Sequence, residues 1–510
     1  MKSFFKSNIS VFLTPALSLN YMNKSRIGLI SMLVVFFGFF SSCEEESQFS
    51  TSLVTEEVIY LSGERARILG RIIATQNIEA DDHGFYISEN EAFSLPIIIS
   101  LGERVAPGRF IGETSGLDIQ KRYYVKSFIS LPDGIQFGNV LQITTLSPDA
   151  FGFSPQNGPV GTTVIIKGKN FTSGTRVFFG DRQAQVLKID FESSITVIVP
   201  ASGSAALEEV KVLVQNQEIL LDYKFEYTTG KFTQLPNFPS GLKLFDNVYF
   251  QNGLDFFAGL GANNGQSVNS QIWKYSLVAK TWTQVVFQGA ALWKAFSGSN
   301  YFGGGALVIS QTSLASPSKD FWKYENNDFV KLPELPFTAI DAVSFELNGK
   351  LFVMGGVTGF QTDAYRFTIA TSQWQKIANI PFAVNRSVLK FQHGNKQYFV
   401  NSVSKEIYSF DGVSELWSFF GVYPGDINSG SAFGVTIGDR VITGMANRSL
   451  EIWELNLLSG IWIRKNSFPG NPIARNAAVF VHDNLIYILR SGEVQVQGPM
   501  EFWVLDPFGL

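Results

Sequence analysis

Seven residues beyond position 229 carry side chains suited to meeting a ligand: Asp246, Trp293, Lys294, Asp341, Arg386, Arg475 and Asn476. A carboxylate accepts hydroxyl protons, a guanidinium donates in a fixed fork, and an indole offers a flat apolar face. Together they suit a sugar, with the ring stacked and its hydroxyls bonded to charged groups. Other chemistries are thinly supplied. The chain has one cysteine, Cys43, and three histidines, His83, His393 and His482. A structural zinc site takes about four nitrogen or sulfur ligands, so none can be assembled, and no disulfide can form within the chain. An oxygen-ligand calcium site stays open, but no cofactor is expected. His393 and His482 sit in turn-like Gln392-His-Gly394 and Val481-His-Asp483, with no nucleophile motif beside them. A carboxylate-only mechanism through Asp246 or Asp341 stays open. The expectation is a binding surface and not an enzyme.

A repeat brings the seven residues together. Aromatic residues Phe232, Trp282, Phe329, Trp374, Trp417 and Trp462 recur at intervals of 50, 47, 45, 43 and 45 residues. Between them come apolar runs: Asp255-Phe-Phe-Ala-Gly-Leu-Gly, Ala306-Leu-Val-Ile-Ser, Leu351-Phe-Val-Met-Gly-Gly, Gln397-Tyr-Phe-Val, Val441-Ile-Thr-Gly and Leu485-Ile-Tyr-Ile-Leu. An aromatic strand follows each, as in Ile272-Trp-Lys-Tyr and Phe502-Trp-Val-Leu-Asp. A period of this length with four short strand patterns per copy predicts a β-propeller over 229–510. The motif resembles the kelch repeat, with a Gly doublet after an apolar strand and then an aromatic strand. Gly355-Gly356 is a clean doublet, and Gly303-Gly304-Gly305 stands several residues out of place. The resemblance implies a six-bladed kelch-type propeller. The segment near Lys231 to Leu235 should be the outermost strand of the last blade and close the sheet.

Aligned on Phe250, Phe296, Phe345, Phe391, Val435 and Phe480, the inner strands begin on one face, and the seven residues lie on its rim. Three loops join them there: Ala262 to Gln271, Ser313 to Asp320 and Ser491 to Met500. Eight of the nine tryptophans fall on frame positions and are read as packing residues, which leaves Trp293 as the exception. Kelch-type propellers include a copper radical oxidase, but its cofactor needs a Cys bonded to a Tyr, and Cys43 lies far upstream.

The N-terminus has its own logic. Lys24 and Arg26 precede a mostly apolar run from Ile27 to Phe40, then Ser41-Ser42-Cys43. The run is short of the ~20 residues that a membrane-spanning helix needs. It resembles a bacterial lipoprotein signal, which implies cleavage before Cys43 and acylation of that residue. Residues 1–43 are then signal and attachment site. The tether 44–50, opening with Glu44-Glu45-Glu46, resembles a surface-export signal of outer-membrane lipoproteins. Met22 is an alternative start.

Between tether and repeats, two stretches read as β-sandwiches. Residues 51–147 alternate in strands such as Ala66–Ile73, and turn residues Pro107-Gly108 and Pro132-Asp-Gly134 separate them. The Leu117 to Tyr123 spacing resembles the tyrosine corner of fibronectin type III and immunoglobulin-like domains. Alternation puts Tyr124, Lys126 and Phe128 on one face. Residues 148–228 carry Phe153-Ser-Pro-Gln-Asn-Gly158-Pro-Val-Gly161 and Gly168-Lys-Asn-Phe171, which closely resembles the IPT/TIG immunoglobulin-like domain. Val164-Ile165-Ile166 is read as a buried strand. Some members of that family bind DNA through basic loops, where this chain has Glu208 and Glu209.

Net charge is −4, charged residues make up only 16% of the chain, and no basic stripe exists, so nucleic acid is not an expected partner. The fold class is therefore all-β: two Ig-like sandwiches followed by a propeller. The function expected is a lipid-anchored, surface-exposed outer-membrane protein whose propeller binds polysaccharide, in company with an uptake complex. The alternative is a protein-binding adhesin or envelope scaffold.

Overall fold

The computed structural model describes residues 51–510 apart from 204, 265–266, 310–315, 358–360, 428–431, 447 and 494–495. The expected signal, Cys43 and the acidic tether lie outside the described residues. Every regular element among those described is a strand.

Two small units come first. In the first, Ser52–Leu61, Ala66–Ile73 and Gly108–Thr114 form one sheet, and Asp82–Ser88, Ile97–Ser100, Arg122–Leu131, Gly134–Phe137 and Leu141–Thr144 form the other. Ala66–Ile73 shows the driving pattern: Ala66, Ile68 and Ile72 are buried while Arg67 and Arg71 face water. Ile68, Phe85, Phe110 and Val125 meet in one core. The Tyr123 hydroxyl accepts the Asp118 N–H at 2.9 Å beside buried Leu117, the contact that the spacing suggests. Tyr124, Lys126 and Phe128 do face away from that core side, and the Lys126 ammonium lies 3.9 Å from the Phe137 ring centre.

In the second unit, a four-stranded sheet containing Thr163–Lys169 lies with a five-stranded sheet containing Leu207–Val214 and Gln217–Tyr227. Val164, Ile166, Val177, Val212 and Phe225 fill the space between. The Val164-Ile165-Ile166 reading needs one correction: Ile165 is 42% exposed, because the strand covers a core on one face only. The two units are bonded together. Glu64 accepts from the Ser173 N–H at 2.6 Å and its hydroxyl at 3.1 Å. Gln215 accepts the Ile119 N–H at 2.9 Å and donates to the Leu117 carbonyl at 3.0 Å.

From Lys231 onward the chain makes six four-stranded antiparallel sheets, here I to VI. Their leading strands are Val248–Asn252, Phe296–Gly298, Val343–Leu347, Lys390–His393, Phe433–Ile437 and Ala474–His482. Sheets I to V take their four strands in chain order. Sheet VI takes its outermost strand from the start of the repeats: Lys231–Leu235 pairs with Glu501–Asp506, with Lys231 opposite Asp506 and Leu235 opposite Phe502. Each of six apolar clusters lies between two successive sheets. Phe250 and Phe257 of I meet Phe302 and Tyr324 of II, and Phe256 of I meets Phe480 and Phe502 of VI. The second strands are therefore covered on both faces, as in Leu351-Phe352-Val353-Met354, all buried. That is why they read as unbroken apolar runs. Leading strands of I and II, II and III, IV and V, V and VI, and VI and I touch, and that of III touches the second strand of IV. The frame tryptophans pack into these clusters, Trp282 among Phe238, Tyr275 and Phe502.

The second copy departs from the expected alignment. Its second strand is Tyr301–Gly303, not Ala306-Leu-Val-Ile-Ser. Phe296 pairs with Gly303 as Val248 pairs with Gly259, so Phe296 is not the counterpart of Phe250. The strands of sheet II are shorter, which shifted the apparent register by two residues. Gly304-Gly305 then falls in place with Gly355-Gly356. The Gly305 N–H donates to the Ala339 carbonyl of the next repeat at 2.7 Å, and the Gly356 N–H to that of Val384 at 2.9 Å. Gly356 has φ +94°, and a Cβ there would lie 2.4 Å from the Ile340 oxygen. Only glycine fits.

Candidate functional site

The leading strands of sheets I, IV, V and VI begin around a cavity of about 140 Å³. Sheet I contributes Asp246, Asn247 and Tyr249, sheet IV Arg386 and Lys390, sheet V Phe433 and Val435, and sheet VI Arg475 and Asn476. Four of the seven expected residues, Asp246, Arg386, Arg475 and Asn476, thus line one cavity. Trp293, Lys294 and Asp341 do not line it but are bonded to residues that do. The Trp293 indole donates to Asp246 Oδ2 at 3.2 Å, and the Lys294 ammonium sits 4.9 Å from the Trp293 ring centre. Lys294 also pairs with Asp341 at 3.4 Å. The indole is therefore engaged in a local network, with a cation over its ring.

The backbone explains the grouping. Asp246, Lys294 and Asp341 adopt φ of 51°, 55° and 62°, a conformation that side chains tolerate at a cost of order 1 kcal/mol. It turns each peptide toward the next sheet. Lys294 N–H donates to the Asp246 carbonyl at 3.1 Å, Asp341 N–H to that of Lys294 at 2.9 Å, and Arg386 N–H to that of Asp341 at 2.8 Å. Four successive sheets are stitched in series at the cavity mouth. Arg386 is doubly tied, pairing with Asp246 at 3.6 Å and donating to the Asn247 carbonyl.

Burial sets the electrostatics. Asp341 is pushed above the usual carboxylate range by desolvation, against the pull of Arg386 and Lys294. The Lys390 ammonium is pushed down to about 8, first by desolvation and then by Arg386; it donates to the Ser344 carbonyl. Among the described residues Asp246 is the one carboxylate lining the cavity, and it is tied to Trp293 and Arg386. His393 and His482 close the far ends of their leading strands and do not line it.

Tyr249 and Lys390 were not among the expected residues. Both stand immediately before an alignment residue, Phe250 and Phe391. Strand alternation turns that position to the face opposite the alignment residue; Tyr249 packs there edge-on to Phe480 of sheet VI and also lines the cavity. Arg490 is a third. It is fully buried on the second strand of sheet VI and donates to Asn476 Oδ1 at 2.8 Å and the Asn471 carbonyl at 3.1 Å. It holds Asn476 in place from behind. The expected loops reach this face in part. Ala262–Asn263 and Ser267–Val268 form a small sheet with Leu244–Phe245, Trp293 and Pro317 each bridge to Ala306, and Lys243 donates to the Glu493 carbonyl at 3.4 Å. Residues 265–266, 313–315 and 494–495 of these loops lie outside the described residues.

A search of curated proteins finds no match to the chain. Among solved structures, one described as the structure of YjhT is 16% identical, with a TM-score of 0.42 over 52% of this chain and 95% of that one. Another, a structural genomics protein of unknown function from Bacteroides thetaiotaomicron VPI-5482, is 12% identical, with a TM-score of 0.39 over 70% of this chain and 98% of that one. Residues 151–227 match the IPT/TIG domain family, so the second unit, with its Val164, Ile166 and Phe225 core, is an IPT/TIG domain.

Proposed function

We propose that this is a non-enzymatic binding protein, lipid-anchored through Cys43 at the outer-membrane surface. In this reading the six sheets are the blades of a closed kelch-type β-propeller, and its central cavity holds carbohydrate. The first unit, a fibronectin type III-like sandwich, and the IPT/TIG domain are the stalk. Support for closure comes from the contacts between sheets VI and I and from the pairing of Lys231–Leu235 with Glu501–Asp506. The observation that carries the binding reading is the convergence of Asp246, Arg386, Arg475 and Asn476, from three separate sheets, on one cavity. Hydrogen-bonding groups held at the starts of the leading strands suit recognition of a polyhydroxylated ring.

The test is a glycan array probed with the full chain in detergent, alongside Arg475→Ala and Trp293→Ala. Binding to one polysaccharide class, weakened at least about tenfold in Arg475→Ala, is expected, since a charge-assisted hydrogen bond contributes roughly 1.5–3 kcal/mol. A blank with folded protein would move the weight to a protein partner. Exposed Phe419 and Val422 on the outer strand of sheet IV and Ile461 and Ile463 on that of sheet V favour this second reading. Cross-linking on intact cells would then find the partner.

A further inference from the structure

The charges around the cavity do not balance. Three cations, Arg386, Lys390 and Arg475, line it against one carboxylate, Asp246. Asp246 is taken by Arg386 at 3.6 Å. The Lys390 ammonium donates to the Ser344 carbonyl and has no carboxylate partner among the described residues, where the Arg475 side chain makes no hydrogen bond or ion pair either. Its Nε is buried without an acceptor. The nearest other carboxylate of the network, Asp341, lies outside the lining and is paired with Lys294. A pair of unmatched cations in a confined cavity is costly unless something neutralises them. The imbalance is local, because the whole chain is net negative at −4. A generic attraction for polyanions is therefore not expected of its surface.

We propose that the cavity recognises an acidic sugar, seating an oxyanion substituent (a carboxylate or a sulfate ester) between Lys390 and Arg475. This rests on the carbohydrate reading above and narrows its ligand class. A guanidinium binds such a group through two parallel bonds, and an ammonium adds a point charge. The cavity volume of about 140 Å³ gives room for roughly five water molecules, enough for a substituent and the edge of its ring. Two neighbours confine the group further, Tyr249 and Asn476, both in the lining. The pH behaviour follows from the same groups. Lys390 is charged below about 8. Facing it are Arg386, Arg475, Asp246 and Tyr249. Binding an anion stabilises the ammonium, so affinity should fall as pH rises through 8 and above.

The full chain in detergent would be titrated calorimetrically with galacturonate oligomers and their methyl esters, and with dextran sulfate and dextran. Esterification removes the charge and leaves the ring. The expected result is binding to at least one acidic probe and at least about tenfold weaker binding to its neutral counterpart. Galacturonate against dextran sulfate tells carboxylate from sulfate. Arg475→Gln should lose about tenfold or more for the acidic probe, Arg475→Lys should recover part, and Lys188→Gln on the IPT/TIG domain should change nothing. If the Arg475 variants do not fold, the wild-type affinity between pH 7 and 9.5 decides, and a flat profile overturns the proposal. Equal binding of acidic and neutral probes, or binding only to neutral sugars on the array, also overturns it and leaves the carbohydrate reading standing. A blank with every probe and across the array overturns both.

Discussion

Lys390 occupies a place that penalises its own charge. Its ordinary value of 10.5 is pushed down to about 8, so the ammonium costs more in the folded state than in the unfolded chain, although it remains the main form at pH 7. For a depressed base, the stability tied to the group is full above about 10.5 and is lost as pH falls through about 8. Lys390→Met removes a cost on the order of 1–3 kcal/mol at pH 7, allowing for water in the cavity. Urea unfolding should show the variant ahead of wild type at pH 7 and level with it near pH 10.5; an equal gain at both would assign the effect to packing. Lys465 differs in having a carboxylate partner. It is buried with Glu454 at 2.6 Å, and Arg440 approaches the other Glu454 oxygen at 2.7 Å. Glu454→Gln leaves two cations without their carboxylate and should cost about 3–5 kcal/mol, read as a lowered melting temperature. Neither role could be read from the sequence. Burial of a lysine depends on which strands flank it, and Lys465 and Glu454 meet across a turn that no spacing rule marks. Asp246, Arg386, Arg475 and Asn476 were legible because they hold one phase of the repeat. Arg490 was not, because at the end of an apolar run, Leu485-Ile-Tyr-Ile-Leu, an arginine carries no local sign of its partner.

Sheets and their seams make the next scale. Phe232 on the outermost strand of sheet VI packs edge-on to Phe468 at 5.3 Å. All nine tryptophans lie at or beyond Trp273, so their fluorescence reports on the six sheets alone. Phe232→Ala should cost about 1–3 kcal/mol, and the whole fluorescence transition should move as one. An early separate step would mean that this strand is only a local edge. At the seam between sheets III and IV, Gly356→Ala should cost at least ~2 kcal/mol, because its Cβ would lie 2.4 Å from a backbone oxygen. Gly394→Ala, at φ +55° with open space around it, should cost about 1 kcal/mol. Urea midpoints of the two variants test the difference. Strand positions were readable from the sequence because the second strands are mostly apolar and the third strands aromatic. The second copy misled because Ala306-Leu-Val-Ile-Ser looks like a strand but bridges to Trp293, while the real strand is three residues long. Short strands carry too little alternation to fix a register.

On the scale of the molecule, the joints between units are hydrogen-bonded. Gln215 bonds the two small units through backbone groups of Leu117 and Ile119. Gln215→Ala should leave stability within about 1 kcal/mol but broaden the distance distribution in small-angle scattering. An unchanged profile would show that Glu64 and Ser173 hold the joint by themselves. The joint with the six sheets is denser. Thr228 bonds Asn466, the Asn466 N–H donates to the Thr229 carbonyl at 2.9 Å, Lys465 donates to the Thr229 hydroxyl at 2.6 Å, and Gly230 N–H donates to the Gly509 carbonyl at 2.8 Å. Leu510 packs against the IPT/TIG core. This joint has a mechanical meaning. Tension drawn along residues 228–230 does not arrive first at Lys231–Leu235, whose five paired residues would peel one after another. It is divided beforehand between the chain after sheet V and the chain's own last residues. The strand that completes sheet VI is thereby shielded from load, and a pull on the two small units strains several bonds in parallel before any sheet opens.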